Sequence, residues 1–228
     1  MSKYIIGDVH GCLLTLQALV DKILKDGGSY SDIVLAGDLI DRGPRSAQVV
    51  DYVISNNIAT VLGNHEQMMA DCYEKKEEEE GLWLCNGGTQ TVASYSDEPD
   101  SKEKISKHIE FFKSLPLYLE YKDVKNEDNM HLLVTHSSAA EVWGEYSPEN
   151  PIFRNNVLWE RDSFPCKIRD IYNVFGHTPT PTPLLKDFWA NLDTGACFNR
   201  GQYGKLTCLK FPEMMLFQQE NVDYPKEK

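Results

Sequence analysis

Residues 4–11 read YIIGDVHG: an apolar run that stops at a carboxylate and an imidazole two positions apart, Asp8 and His10, fenced by glycines. Alone, Gly-Asp is ordinary turn chemistry. The stretch gains weight because the chain repeats its plan. Tyr4–Ile6 precedes Leu13, Leu16, Leu19, Val20, Ile23 and Leu24 at helical spacing. Ile33–Ala36 runs into GDLIDRG (37–43), then Ala47, Val49, Val50, Val53 and Ile54. Ala59–Leu62 runs into GNHE (63–66), then Met68, Met69 and Cys72. Three such βα units predict an α/β fold with a mostly parallel sheet and helices on both faces.

Three later apolar runs have the same ending. Leu132–Thr135 stops at His136, Tyr172–Phe175 at Gly176-His177-Thr178, and Trp189–Leu192 at Asp193-Thr194-Gly195. The segments LTCLKF (206–211) and MMLFQ (214–218) predict a closing antiparallel ribbon that turns near Pro212-Glu213. Between the third unit and His136 lies a turn-rich insert whose clearest helix is Lys104–Phe112. With no linker and no second apolar core, residues 1–228 are expected to form one domain.

Composition narrows the function. A net charge of −12 with no basic face argues against nucleic acid, and implies that any anionic ligand meets cations concentrated at one site. No apolar run approaches the roughly 20 residues of a membrane span. The first residues lack a signal-peptide pattern, so a cytoplasmic location is expected. The six cysteines are scattered without a C-x-x-C pair, as expected of reduced thiols. The run Lys75–Glu80 reads as a solvated face. The oligomeric state is not legible.

Ligands of open α/β sheets bind beyond the carboxyl ends of the strands. Asp8 and Asp38 lie 30 residues apart, and Asp38 and Asn64 lie 26 apart, each about one crossover. Asp8 with His10, Asp38 with Asp41, and Asn64 with His65 therefore fall on neighbouring strand ends, followed by His136 and His177. Aspartate, asparagine and histidine without thiolate suit Mn, Fe or Zn. So many donors fit two ions sharing a carboxylate better than one.

The motifs GDVHG, GDLIDRG, GNHE, THS and GHT, in that order, resemble those of the metallophosphoesterase-type serine/threonine protein phosphatases. WLCNGG (83–88), LWERD (158–162) and FGHTP…LDTGA (175–196) make the likeness strongest to the branch of the lambda-phage protein phosphatase and its bacterial relatives. The resemblance implies a calcineurin-like metallophosphoesterase fold, with mixed central β-sheets flanked by helices and the site at the strand C-terminal ends. It implies two divalent ions, manganese first and iron or zinc also compatible. Asp8 and His10 would hold one ion, Asp38 would bridge, and Asn64, His136 and His177 would hold the other. The ions would activate a bridging water for direct attack on phosphorus. Arg42 and Arg161 would clamp phosphate oxygens, and His65, oriented by Asp41, would protonate the leaving oxygen.

The expected substrate is a phosphorylated protein, on serine or threonine and also tyrosine, or a small phosphoester. The alternative is a symmetrical diadenosine tetraphosphate hydrolase, which VLGNH, LDTG and LTCLKF also resemble. Asp41 and Glu66, together with the lack of an evident adenosine-sized insertion, favour the phosphatase. Two positions depart from that family: Leu62 replaces the usual arginine before GNHE, and Ser137-Ser138 follow His136 where alanine or glycine is usual. His108 is expected to face solvent, His131 to be structural, and Asp193 to be a turn or supporting residue.

Overall fold

A computed structural model describes residues 2–75, 80–96, 98, 100–198 and 200–224; positions 76–79 of the Lys75–Glu80 run lie outside them. Two mixed five-stranded sheets carry the fold. In the first, β1 (Lys3–Ile6) pairs in parallel with β2 (Ile33–Leu35), and β2 with β3 (Ala59–Thr60). The second sheet contains β4 (Tyr118–Lys125), β5 (His131–Thr135), β6 (Ile171–Phe175), β7 (Leu184–Leu185) and β8 (Trp189–Asn191), in the order β4-β5-β6-β8-β7. The hairpin of β9 (Lys205–Phe211) and β10 (Met215–Glu220) joins β1 on its other edge, so the first sheet runs β10-β9-β1-β2-β3. That ribbon is the one its two apolar segments predict.

Alternation along the strands explains the layering. Ile5, Val34, Leu209 and Phe211 of the first sheet pack with Leu132, Val134, Tyr172 and Val174 of the second in one buried cluster. Their neighbours Tyr4, Ile6, Ile33 and Leu35 face outward, as a period of two requires. The outer face of the first sheet is covered by α1 (Leu13–Lys25), α2 (Ser46–Ser55) and α3 (Asn64–Lys75). The outer face of the second sheet meets α7 (Pro151–Trp159) through Leu133, Phe153, Val157 and Leu158. Helices therefore flank a pair of stacked sheets. The expectation of helices on both faces of one mostly parallel sheet is corrected: each sheet buries its inner face against the other.

The insert packs as α4 (Glu80–Trp83), a single π-turn at Leu84–Gly88, α5 (Thr89–Ser96) and α6 (Ser101–Ser114). It also corrects the expectation for His108. That residue is buried, 2% exposed, with Nδ1 2.6 Å from Tyr95 Oη and Nε2 3.1 Å from Asp51. The spacing of Ile105, His108, Ile109 and Phe112 is that of one apolar helix face, which carries the histidine inward. Leu62 is buried among Leu133, Phe153 and Val157, so this position serves packing. All six cysteines are free. No helix of the described residues is long and apolar enough to cross a membrane.

Candidate metal centre

The ends of β1, β2, β5 and β6 converge, and the backbone there is unusual. His10, Asp38, Asp41, Arg42 and His177 all adopt left-handed φ values, between 46° and 71°. Such conformations cost energy in non-glycine residues and cluster at functional sites. Gly176 is required by proximity: a Cβ at that position would lie 1.9 Å from Asp8 Oδ1.

Asp38 sits at the middle. Its Oδ1 is 3.4 Å from His136 Nε2, and its Oδ2 is 3.5 Å from His10 Nε2 and 3.8 Å from His65 Nε2. One carboxylate oxygen thus faces each side of the site. Among the described residues two triads could hold a cation, His10–Asp38–His65 and Asp38–His136–His177, all buried, with ligand atoms within 4.8 Å of one another. Burial alone would raise the Asp38 pKa, but His136, His65, His10 and His177 overcome it and hold the carboxyl below its ordinary range. Oδ1 also accepts the His65 backbone N–H, 3.1 Å, in the first turn of α3, where a helix end favours an anion.

Proton placement decides what the imidazoles offer. His10 Nδ1 lies 2.8 Å from the Ile40 carbonyl, and His136 Nδ1 2.8 Å from the Ala36 carbonyl. Each Nδ1–H therefore donates to a backbone oxygen, which leaves Nε2 as a lone pair. His136 Nε2 faces Asn64 Oδ1 at 2.8 Å and His177 Nδ1 at 3.1 Å, and these last two are 3.1 Å apart. Acceptors gathered this closely fit a shared cation. On the other side the lone pairs already meet one: Arg42 Nη1 is 2.6 Å from His10 Nε2, and Nη2 is 3.0 Å from His65 Nε2. Burial, reinforced by Arg42, pushes the His10 pKa well down. Burial likewise lowers His136, and with the His136 neighbour takes His177 down to about 3. Neutral imidazoles are the form a metal needs. The donor set fits two divalent ions.

Asp8, expected beside His10, is tied to the loop after β6. Both its oxygens accept the His177 backbone N–H, at 3.2 and 3.1 Å, and His65 rather than Asp8 completes the triad around His10. Asp8 neighbours Asp193. Burial and the charges of Asp193 and Asp38 raise the Asp8 pKa, and burial takes Asp193 up to about 6. Asp193 also accepts the Gly195 N–H at 2.9 Å, stabilising its own turn.

His65 and Asp41 meet, Nδ1 to Oδ2, at 2.6 Å. Asp41 accepts from Trp83 Nε1 at 3.0 and 3.1 Å and from Thr91 Oγ1 at 2.6 Å. Both donors come from the insert, which also touches Arg42: its backbone N–H donates to the Gly87 carbonyl, 3.1 Å. Sequence reasoning assigned no role to Trp83 or Thr91, although WLCNGG begins with the first of them. It also gave Glu66 none. That buried carboxylate accepts the N–H groups of Asp38, Leu39, Ile40 and Gly63 at 2.7–3.2 Å and so fixes the GDLIDRG loop. Arg161 stands apart. It is exposed, and its charge reaches the site through space, depressing His177 after the larger effect of burial. Ser137, one of the two departures, donates through Oγ to the Glu160 carbonyl and ties the His136 loop to the segment bearing Arg161.

Comparison with known proteins follows the same lines. Residues 1–201 match the model of the family described as calcineurin-like phosphoesterase. The asymmetrical bis(5'-nucleosyl)-tetraphosphatase PrpE of Oceanobacillus iheyensis is 31% identical over 92% of this chain and 88% of its own length. The enzyme of the same name from Anoxybacillus flavithermus is 30% identical over 92% and 90%. A serine/threonine phosphatase structure from Saccharomyces cerevisiae superposes with a TM-score of 0.60 at 14% identity, covering 100% of this chain and 82% of that one, a likeness of fold alone. These curated relatives overturn the expectation of a serine/threonine protein phosphatase. The physical reason is that GDVHG, GDLIDRG and GNHE build the phosphorus-handling centre, which is indifferent to what the phosphate is attached to. The alternative is corrected as well, since those relatives are named asymmetrical rather than symmetrical.

Proposed function

The chain belongs to the calcineurin-like phosphoesterase family, and from that footing we propose that it hydrolyses dinucleoside polyphosphates off-centre, as an asymmetrical bis(5'-nucleosyl)-tetraphosphatase. The observation that carries this reading is the near full-length identity to enzymes of that name, 31% over 92% of the chain. Family members use a dinuclear metal centre, and the buried donors around Asp38 fit one. Manganese is the ion we propose, from a donor set of oxygens and imidazoles without thiolate.

Two divalent ions bound there supply Lewis acidity and a nucleophile at neutral pH. The residues do the rest. In this reading Asp38, His10 and Asp8 would hold one ion, and Asp38 with Asn64, His136 and His177 would hold the other. Arg42, whose guanidinium already lies over the site, binds phosphate oxygens through its fork. Arg161 approaches the same oxygens from the His177 side. His65, oriented by Asp41, turns Nε2 toward the leaving oxygen and hands it a proton, a role worth about 10²- to 10⁴-fold.

The test is product analysis with diadenosine tetraphosphate and the manganese-loaded enzyme. A mononucleotide and a nucleoside triphosphate in equal amounts are expected. Two molecules of diphosphate, or no turnover, would overturn the reading.

A further inference from the structure

Beside the centre, on the loop between β8 and β9, lies a pocket of about 570 Å³ whose walls include Phe198, Tyr203, Tyr224, Arg200 and Lys205. We infer that it receives one nucleoside of the dinucleotide, with the base against the Phe198–Tyr203 ring pair and Arg200 and Lys205 toward its phosphates. The inference rests on the proposed function and names where that substrate is recognised.

Size, chemistry and position agree. Pockets of small-molecule ligands typically span about 300–1,000 Å³. The two rings meet edge to face, with centroids 5.9 Å apart, and both rest on Gly195, whose φ is +63°. A Cβ there would lie 2.6 Å from Phe198 Cδ2 and 2.9 Å from Tyr203 Cδ1, so the glycine makes the aromatic wall possible. Two guanidinium groups approach the Phe198 ring, those of Arg42 and Arg200, each with Cζ 5.8 Å from its centroid. The Arg42 group is the one that spans His10 and His65. Phe198 therefore links pocket and centre. In a chain of net charge −12, Arg200 and Lys205 on the pocket wall outnumber its one carboxylate, Glu220, and with Arg42 across the Phe198 ring they join an anion site to an aromatic surface. A nucleotide has that combination, and a phosphorylated serine or threonine does not. The Tyr224 hydroxyl closes the seam by donating to the Arg42 carbonyl, 3.0 Å.

Position also bears on where the chain is cut. With the base one ring away from Arg42, the phosphates that reach the centre are those nearest that nucleoside. Attack there yields unequal products.

The experiment compares kcat/KM for diadenosine tetraphosphate and for p-nitrophenyl phosphate in manganese-loaded wild type, Tyr203→Ala and Tyr203→Phe. Losing a stacked base costs about 10- to 100-fold, so Tyr203→Ala should lose that much on the dinucleotide, chiefly in KM. On the aryl phosphate it should lose less than about threefold, and Tyr203→Phe should keep the dinucleotide rate. Equal losses on both substrates, or an undiminished dinucleotide rate in Tyr203→Ala, would overturn the inference. Should the wild type not cleave the dinucleotide, the proposed function fails while the pocket is still read by AMP titration. Binding that Tyr203→Ala weakens about tenfold then supports the pocket, and no binding to wild type refutes it.

Discussion

His65 Nδ1 lies 2.6 Å from Asp41 Oδ2, and Asp41 in turn accepts from Trp83 and Thr91. The imidazole is therefore held from behind by a carboxylate that has no freedom of its own. His65→Asn is expected to lower kcat by about 10²- to 10⁴-fold. Thr91→Val should lower it by about 3- to 10-fold, because it loosens Asp41 without removing the acid. Metal analysis should find both variants fully loaded. Loss of metal from His65→Asn would instead make this histidine a ligand, as its place in the His10–Asp38 triad allows.

Asp38 turns one oxygen to each group of histidines. Asp38→Asn should therefore cost both sites, and the content should fall from about two ions per chain to well below one. His177→Ala should cost about one ion and leave the His10 side loaded. Elemental analysis after gel filtration decides both. Two ions retained in Asp38→Asn would remove its bridging role.

Protons compete with metal at the carboxyls. Asp193 is pushed up to about 6, and Asp8 is raised well above its ordinary value. His10, His136 and His177 are lowered and so already neutral near pH 7. Metal uptake must displace carboxyl protons, so affinity should rise between pH 5 and about 7, with protons released into weak buffer. In the metal-free protein these groups pull stability in opposite directions. Raised carboxyls stabilise the fold at low pH, an effect lost as pH rises through their folded values. Depressed histidines stabilise it above about 6.5, an effect lost as pH falls. An affinity flat across this range would contradict the assignment.

Glu66 binds four backbone N–H groups with one carboxylate. Glu66→Gln turns an amide donor toward those donors, and should lower the unfolding free energy by about 2–4 kcal/mol. Urea denaturation measures this. A midpoint equal to wild type would show that the loop holds itself.

The strand ends bearing Asp8, Asp38, Asn64, His136 and His177 were readable because period-two and period-3.6 patterns are local, and the parallel-sheet rule then gathers the ends. The stacking of two sheets was not readable from the βα units, which say nothing of what covers the inner face. Trp83 and Thr91 escaped notice because they reach Asp41 across 42 and 50 residues, through a turn-rich insert with weak periodicity. The Phe198–Tyr203 wall was hidden for another reason: it lies on a loop, where spacing does not predict which side chains converge. Substrate followed from neither. The motifs encode attack on phosphorus, and the protein phosphatases share them.

The Asp223 carboxylate accepts the N–H groups of Leu14 and Thr15 at the start of α1 and the Arg45 guanidinium, while Tyr224 holds the Arg42 carbonyl. These contacts join residues 208 and 182 positions apart, and Asp8 meets His177 across 169. Closures over such distances form late in folding. On the ribosome, the loop carrying Arg42 emerges long before the tyrosine that anchors it has been made. The loop that carries Arg42 is thus among the last parts of the fold to be fixed, and an unfinished or half-folded copy holds its guanidinium with nothing behind it.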